Sequence, residues 1–219
     1  MRTFKTEGIV LKRRNFGEAD RILTVFTLSR GKISILAKGV RRITSRRAGN
    51  IELLNRVSMY LFLGKGMPIL TEAESLETFQ KIKEDLTLIT YAYHIIELVD
   101  RMTAENQENR ILYIELVEAL RRLSQTPRQI WVRAFEMKIL SNLGFLSFQN
   151  PTLHLQFHPF NGSERLMGIL RQLEISKWDE IGGIEVEEKE ALELERLLRY
   201  HLERVTEVAL KSRQFLKRI

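Results

Sequence analysis

The hydrophobic period of this chain changes once, near Thr78, and that change restricts the fold more than any single motif. Before it, apolar side chains recur at every second position, as in strands with one buried face. Five candidate strands follow: GIVLKRR (8–14), RILTVFTL (21–28), KISILAKG (32–39), RVSMYLFLG (56–64) and PILTEAESL (68–76). In the third, Ile33, Ile35 and Ala37 stand opposite Ser34, Leu36 and Lys38. In the fourth, Val57, Met59, Leu61 and Leu63 stand opposite Ser58, Tyr60 and Phe62. Turn residues punctuate them at Asn15 and Gly17, Ser29-Arg30-Gly31, Gly39, Gly49-Asn50 and Gly64-Lys65-Gly66. No segment between them reads as a helix long enough for a parallel crossover, so a small antiparallel barrel is expected. An OB-fold fits the strand count best, with an SH3-like barrel sharing the pattern.

From Thr78 the period is 3.6. Ile82, Leu86, Ile89, Tyr93, Ile96 and Val99 form one stripe, widened by Leu88, Ala92, Ile95 and Met102, which predicts a helix central to a bundle. Residues 108–123 predict a second helix. Thr126 before Pro127 predicts the N-cap of a third, which carries Trp131, Phe135, Ile139 and Leu143 and ends at Gly144. Residues 145–163 lose periodicity, a short helix is expected at 164–174, and a long one at about 187–217. Lys211, Arg213, Lys217 and Arg218 would complement the dipole at its end. The expected fold class is α+β in two domains: a five-stranded OB-fold barrel over 1–78 and a mostly helical domain over 79–219.

Charge separates the same two regions. Residues 1–66 hold 15 Lys and Arg against four acids, whereas 67–219 hold 20 against 24, so the whole net charge of +7 comes from the first third. Such a basic domain favours a polyanion, most often nucleic acid, an anionic membrane surface being the alternative. The densest stretch is AKGVRRITSRRAGN (37–50), with Lys38, Arg41, Arg42, Arg46 and Arg47 and no acid. It falls between the third and fourth strands. Lys12, Arg13, Arg14, Arg21 and Lys32 lie at strand ends nearby in sequence, and Phe16, Tyr60 and Phe62 are candidates to stack on bases. Core packing is the plainer role for Tyr60 and Phe62.

Other chemistries find little support. The 219 residues contain no cysteine, which excludes disulfides, thiol catalysis and the usual structural zinc ligands. Gly64-Lys65-Gly66 lacks the spacing of a phosphate-binding loop. Glu18 and Asp20 sit among arginines and read as local ion pairs, and Glu72 and Glu74 as a solvated strand face. No serine or histidine lies in a nucleophile motif, so no enzymatic activity and no cofactor are expected. His94 and His201 fall on helical faces as structural residues. His154 and His158, four apart, supply at most half of a tetrahedral zinc site, so no metal is expected. No run approaches the roughly 18 apolar residues of a membrane span. Ile9–Leu11 is too short for a signal-peptide core, and a cytoplasmic location, with no membrane partner, is the expectation.

The motifs GEADR (17–21), TLSRGK (27–32) and AKGVRR followed by Ser45-Arg46, in that order, resemble the N-terminal signature of the bacterial recombination-mediator family RecO. The resemblance continues through LTEAESLETF (70–79), AYHIIELVDRMT (92–103) and FEMKILSNLGF (135–145). It implies an N-terminal OB-fold, a helical domain and no catalysis. It further implies binding of single- and double-stranded DNA, annealing of complementary strands, and a cytoplasmic, nucleoid-associated role in DNA repair. RecR, the acidic tail of single-strand-binding protein and, indirectly, RecA are the implied partners. Lys12, Arg13, Arg14, Arg21, Lys38, Arg41, Arg42 and Arg46 match the motifs; Arg47 is added for its charge. Many members carry a four-cysteine zinc module after the LGF motif. Here the irregular segment 145–163 keeps an F-x-P-x-x-G frame without a cysteine, and Leu153, Leu155, Phe157 and Phe160 would supply apolar contacts instead. Two other functions fit the same pattern: an OB-fold RNA-binding protein acting on tRNA or the ribosome, and a helical interaction scaffold.

Overall fold

The computed structural model describes residues 2–149 and 163–206. His154, His158, the four apolar residues of the cysteine-free segment and the basic end of the last helix lie outside them. The five strands are β1 (Arg2–Phe16), β2 (Asp20–Thr27), β3 (Gly31–Ala37), β4 (Arg56–Leu63) and β5 (Ile69–Glu77), closed into a barrel in the order β1-β2-β3-β5-β4. The OB-fold expectation holds. One contact departs from the antiparallel pattern: β3 meets β5 in parallel at Leu36 and Ile69, where the barrel closes.

Closure depends on β1, which is longer than its apolar triplet suggests. Its first half pairs with β4, from Arg2↔Leu63 to Ile9↔Arg56, and its second half with β2, from Gly8↔Thr27 to Phe16↔Asp20. The changeover falls at Gly8, where a Cβ would lie 2.5 Å from the Val25 side chain and 2.8 Å from the Phe26 carbonyl oxygen. Only glycine lets the strands approach so closely. A bulge follows: the register steps from Val10↔Val25 to Lys12↔Thr24. Ile9, Val10 and Leu11 are all buried, and from Lys12 to Glu18 every residue is exposed. The bulge thus converts a core strand into a wet hairpin arm.

Contacts divide the chain into two compact units. The first contains residues 1–81 and 99–117, the second 82–98 and 118–219. In the first, Val10, Leu23, Val25, Ile35, Met59 and Leu61 fill the barrel. Gly31 (φ +62°) turns β2 into β3, and the backbone at Gln107 packs so closely on it that a Cβ would overlap the Gln107 carbonyl. Arg56 bridges Glu77 at 2.5 Å and Glu7 at 2.9 Å. Burial opposes its charge, and these two carboxylates more than offset that, raising its pKa.

The helices are α1 (Gln80–Glu84), α2 (Leu86–Met102), α3 (Arg110–Gln125), α4 (Ile130–Asn142), α5 (Glu164–Ile175), α6 (Trp178–Ile181) and α7 (Glu188–Thr206). Two expectations need correction. Asp85 interrupts the first helix and caps α2, its carboxylate accepting from the Thr87 and Leu88 amides at 2.8 and 2.9 Å. Of the expected stripe, Ile82, Ile96 and Val99 are buried, as are Leu88, Ala92 and Ile95, whereas Leu86 (80% exposed) and Tyr93 (40%) fall outside the core. Thr126 does not cap the third helix. It closes α3, its amide donating to Arg122 O at 2.9 Å, and α4 starts at Ile130 without a side-chain cap.

In the second unit α4 is buried continuously from Trp131 to Leu140, charged residues included. Glu136 is clamped by Arg133 at 2.8 and 3.0 Å and by His94 Nε2 at 2.7 Å, and Arg133 reaches Glu195 at 3.4 Å. Burial alone would push the Glu136 carboxyl up, but the Arg133 charge and the His94 hydrogen bond more than offset this and hold it below the usual range. A depressed carboxyl pKa contributes stability that is complete above the ordinary carboxylate range and lost as pH falls through the folded value. Glu136→Gln should therefore cost about 3 kcal/mol at neutral pH, by leaving Arg133 underpaired, and should flatten the acid limb of stability against pH. Urea melts at stepped pH check both. Gly31→Ala should cost roughly 2–4 kcal/mol, from a left-handed backbone and an overlap, read as a lowered urea midpoint.

Candidate nucleic-acid interface

The basic stretch forms most of the β3–β4 connection, and it is a folded structure. Val40 and Ile51 are fully buried and nail its two ends to the barrel core. Gly39 (φ +64°) turns the chain out of β3, and its amide donates to the Asp20 carboxylate at 2.7 Å. The Arg41 amide donates to Ala19 O at 2.8 Å, so the β1–β2 turn holds the same foot. The other foot is held by Arg47. Its guanidinium donates to the carbonyls of Lys38 at 2.8 Å and Leu70 at 2.6 Å. Asn50 then donates to Ala73 O at 2.9 Å, and Asn55 to Asn50 O at 3.0 Å.

Strand register explains which predicted residues meet. Asn15, Arg21 and Ala37 form one row across β1, β2 and β3, so Arg14, Phe16, Arg21 and Lys38 share the end of the barrel that carries the loop. Phe16 is 48% exposed there. Tyr60 lies between Lys5 and Glu72 in register, with the Lys5 ammonium 5.3 Å from its ring centre. Phe62 is half-buried beside Thr3 and Ile69. The acidic neighbour makes Tyr60 a poorer platform for a polyanion than Phe16.

The cations fall into three kinds. Lys32 is buried, its ammonium bonded to the Asp100 carbonyl and 3.8 Å from the Asp100 carboxylate, and Arg47 is consumed in the loop's foot. Lys12 pairs with Asp100, while Arg13 and Arg21 share Glu52, the latter at 3.5 Å. Arg13 and Glu52 form the most open of these pairs, and a surface pair is worth only ~0–1 kcal/mol, so an anion competes with that carboxylate at small cost. Asp100 is largely buried and holds Lys12 from beneath. Arg41 reaches only the Gly17 carbonyl, at 3.3 Å. Arg14, Lys38, Arg42 and Arg46 are exposed, and among the described residues none of them has an acidic partner.

Sequence reasoning missed a groove of about 540 Å³ beside this arm, lined by Leu11, Lys12, Arg13, Arg14, Ile22, Thr24 and Leu53. Its apolar floor exists because the bulge turns Leu11 inward beside exposed cations, which simple alternation does not foresee. Among the described residues no group of three or more His, Cys, Asp or Glu is placed to hold a metal, and no helix is long and apolar enough to cross a membrane.

Comparison with known proteins agrees with this architecture. The family model for Recombination protein O N terminal matches residues 1–79, and that for Recombination protein O C terminal matches 83–147. A DNA repair protein RecO of Acetivibrio thermocellus is 42% identical over 148 residues, 66% of this chain and 59% of its own length. That of Pelotomaculum thermopropionicum is 34% identical over 71% of this chain and 61% of its own length. The Listeria monocytogenes protein of the same name is 28% identical over 97% of this chain and 93% of its own. The first two matches thus span about three fifths of those relatives. The chain belongs to the RecO family.

The division of the cations is testable by stability alone. Arg47→Ala should lower stability by about 1–2 kcal/mol through lost bonds to the Lys38 and Leu70 carbonyls, whereas Arg42→Ala and Arg46→Ala should stay within about 0.5 kcal/mol of the parent. Urea denaturation of the three variants measures this.

Proposed function

We propose that this RecO-family chain binds single- and double-stranded DNA through the arm and the β3–β4 loop, and anneals complementary strands without catalysing a reaction. The observation that carries the proposal is a set of exposed cations without an acidic partner among the described residues: Lys38, Arg42 and Arg46 on a loop fastened at both feet, and Arg14 on the arm at the same end of the barrel. Fixed cations lower the repulsion between two polyanions, and a pre-folded loop loses little entropy on binding. The paired cations Lys12, Arg13 and Arg21 extend the same surface. Phe16, exposed among them, supplies a stacking face, with Tyr60 and Phe62 as more distant candidates. Lys32 and Arg47 support the surface from within.

Contacts of this kind go to phosphates, so base sequence matters little and salt matters much. Family membership supports a place in DNA repair and recombination. Within it, RecR and the acidic tail of single-strand-binding protein are the proposed partners, and assistance to RecA on coated single strands the proposed outcome.

The experiment is annealing of two complementary fluorescent oligonucleotides by the parent chain and by Arg41→Glu/Arg42→Glu/Arg46→Glu, sparing Arg47 because it holds the fold. The variant should stay folded by circular dichroism and lose annealing. Arg42→Ala/Arg46→Ala should reduce the log–log salt slope for single-strand binding by about 1.4, two contacts of about 0.7 each. Unchanged annealing and slope would remove the loop from the interface. Stronger binding to RNA than to DNA, with no annealing, would favour an RNA-binding role.

A further inference from the structure

Ile43 is the most exposed large apolar side chain among the described residues, at 105% of its reference area. Its exposure belongs to a folded tip. The Ser45 amide donates to Arg42 O at 2.9 Å, closing a turn whose central residues are Ile43 and Thr44, and both feet of the loop are bonded to the barrel. In the sequence Ile43 stands between Arg42 and Arg46, two exposed cations of the same loop. Nothing in the loop's own folding uses it.

Resting on the nucleic-acid reading above, we infer that Ile43 is a base-contacting residue that packs against unstacked bases and gives the loop a preference for single strands over duplex. The flanking guanidiniums take phosphates, which are strongly hydrated and offer no apolar surface. The apolar surface of a nucleic acid lies on its bases, and in a single strand those faces are open. In a duplex they are stacked away from a loop that sits on the backbone. A membrane would also accept a cation-flanked aliphatic tip, but one side chain buries too little area to anchor a protein, and the charge around it suits a polyanion equally well.

The test compares the full chain with Ile43→Ser for binding to oligothymidylate, to a blunt duplex and to phosphatidylglycerol vesicles at fixed salt. Because Ile43 is fully exposed, the substitution leaves folding intact. Single-strand affinity should fall about tenfold, with duplex affinity and the salt slope unchanged. In Ile43→Trp, the added indole emission should be quenched by oligothymidylate and not by duplex; Trp131 and Trp178 are buried and provide a constant background. Equal losses on single strand and duplex, or no loss on either, would overturn the inference while leaving the nucleic-acid reading standing. Loss of vesicle binding alone would overturn it in favour of a lipid surface. A parent chain that binds neither nucleic acid would overturn the nucleic-acid reading, and this inference with it.

Discussion

The first unit depends on one strand pairing with two neighbours. β1 hydrogen-bonds β4 along its first half and β2 along its second, and the barrel closes because Gly8 admits the Val25 side chain where any Cβ would clash. The bulge at Leu11 then releases the end of β1 from the core. The arm 12–18 is exposed, and its turn supplies Asp20 and the Ala19 carbonyl that hold the basic loop. Closure, arm and loop are successive consequences of a single backbone path, so the cations are presented by the same geometry that makes the barrel.

Like charges concentrated in one loop repel one another, and the structure answers this unevenly. Arg47 is bonded to backbone carbonyls, which hold a cation without cancelling it, and Lys32 is buried against the carbonyl and the carboxylate of Asp100. Arg13 and Arg21 share one carboxylate at the surface. Lys12 pairs with Asp100. Arg14, Lys38, Arg42 and Arg46 have no acidic partner among the described residues and stand exposed, where water screens their charge. A polyanion that replaces that water finds a surface already arranged, and the repulsion removed on binding adds to the attraction.

Much of this was legible in the sequence, and the omissions have physical causes. The change of period at Thr78 located the switch from strands to helices, since alternation and 3.6-residue spacing come from backbone geometry. The charge asymmetry located the basic region for the same reason: charge needs no fold to be counted. What composition cannot show is which cations are spoken for. Lys32 and Arg47 looked like their neighbours until the fold brought carbonyls from Asp100 and Leu70 beside them. Leu86 and Tyr93 fitted the apolar stripe, but spacing does not show where a helix stops being covered. Asp85 breaks the helix and leaves Leu86 in the first turn of α2, and Leu86 and Tyr93 are exposed while Ile96 and Val99 are buried. Composition does not tell whether the single isoleucine of the basic stretch 37–50 is buried or exposed; the turn at Arg42–Ser45 leaves Ile43 exposed.

The central claim is that the β3–β4 loop and the β1–β2 arm form the nucleic-acid surface. Amide hydrogen exchange of the full chain, with and without a single-stranded oligonucleotide, tests it most directly. Added protection should concentrate in peptides covering residues 12–21 and 38–50, with the interior strands of the barrel unchanged. Protection confined to the helices from α4 onward, with the loop and arm unaffected, would contradict it.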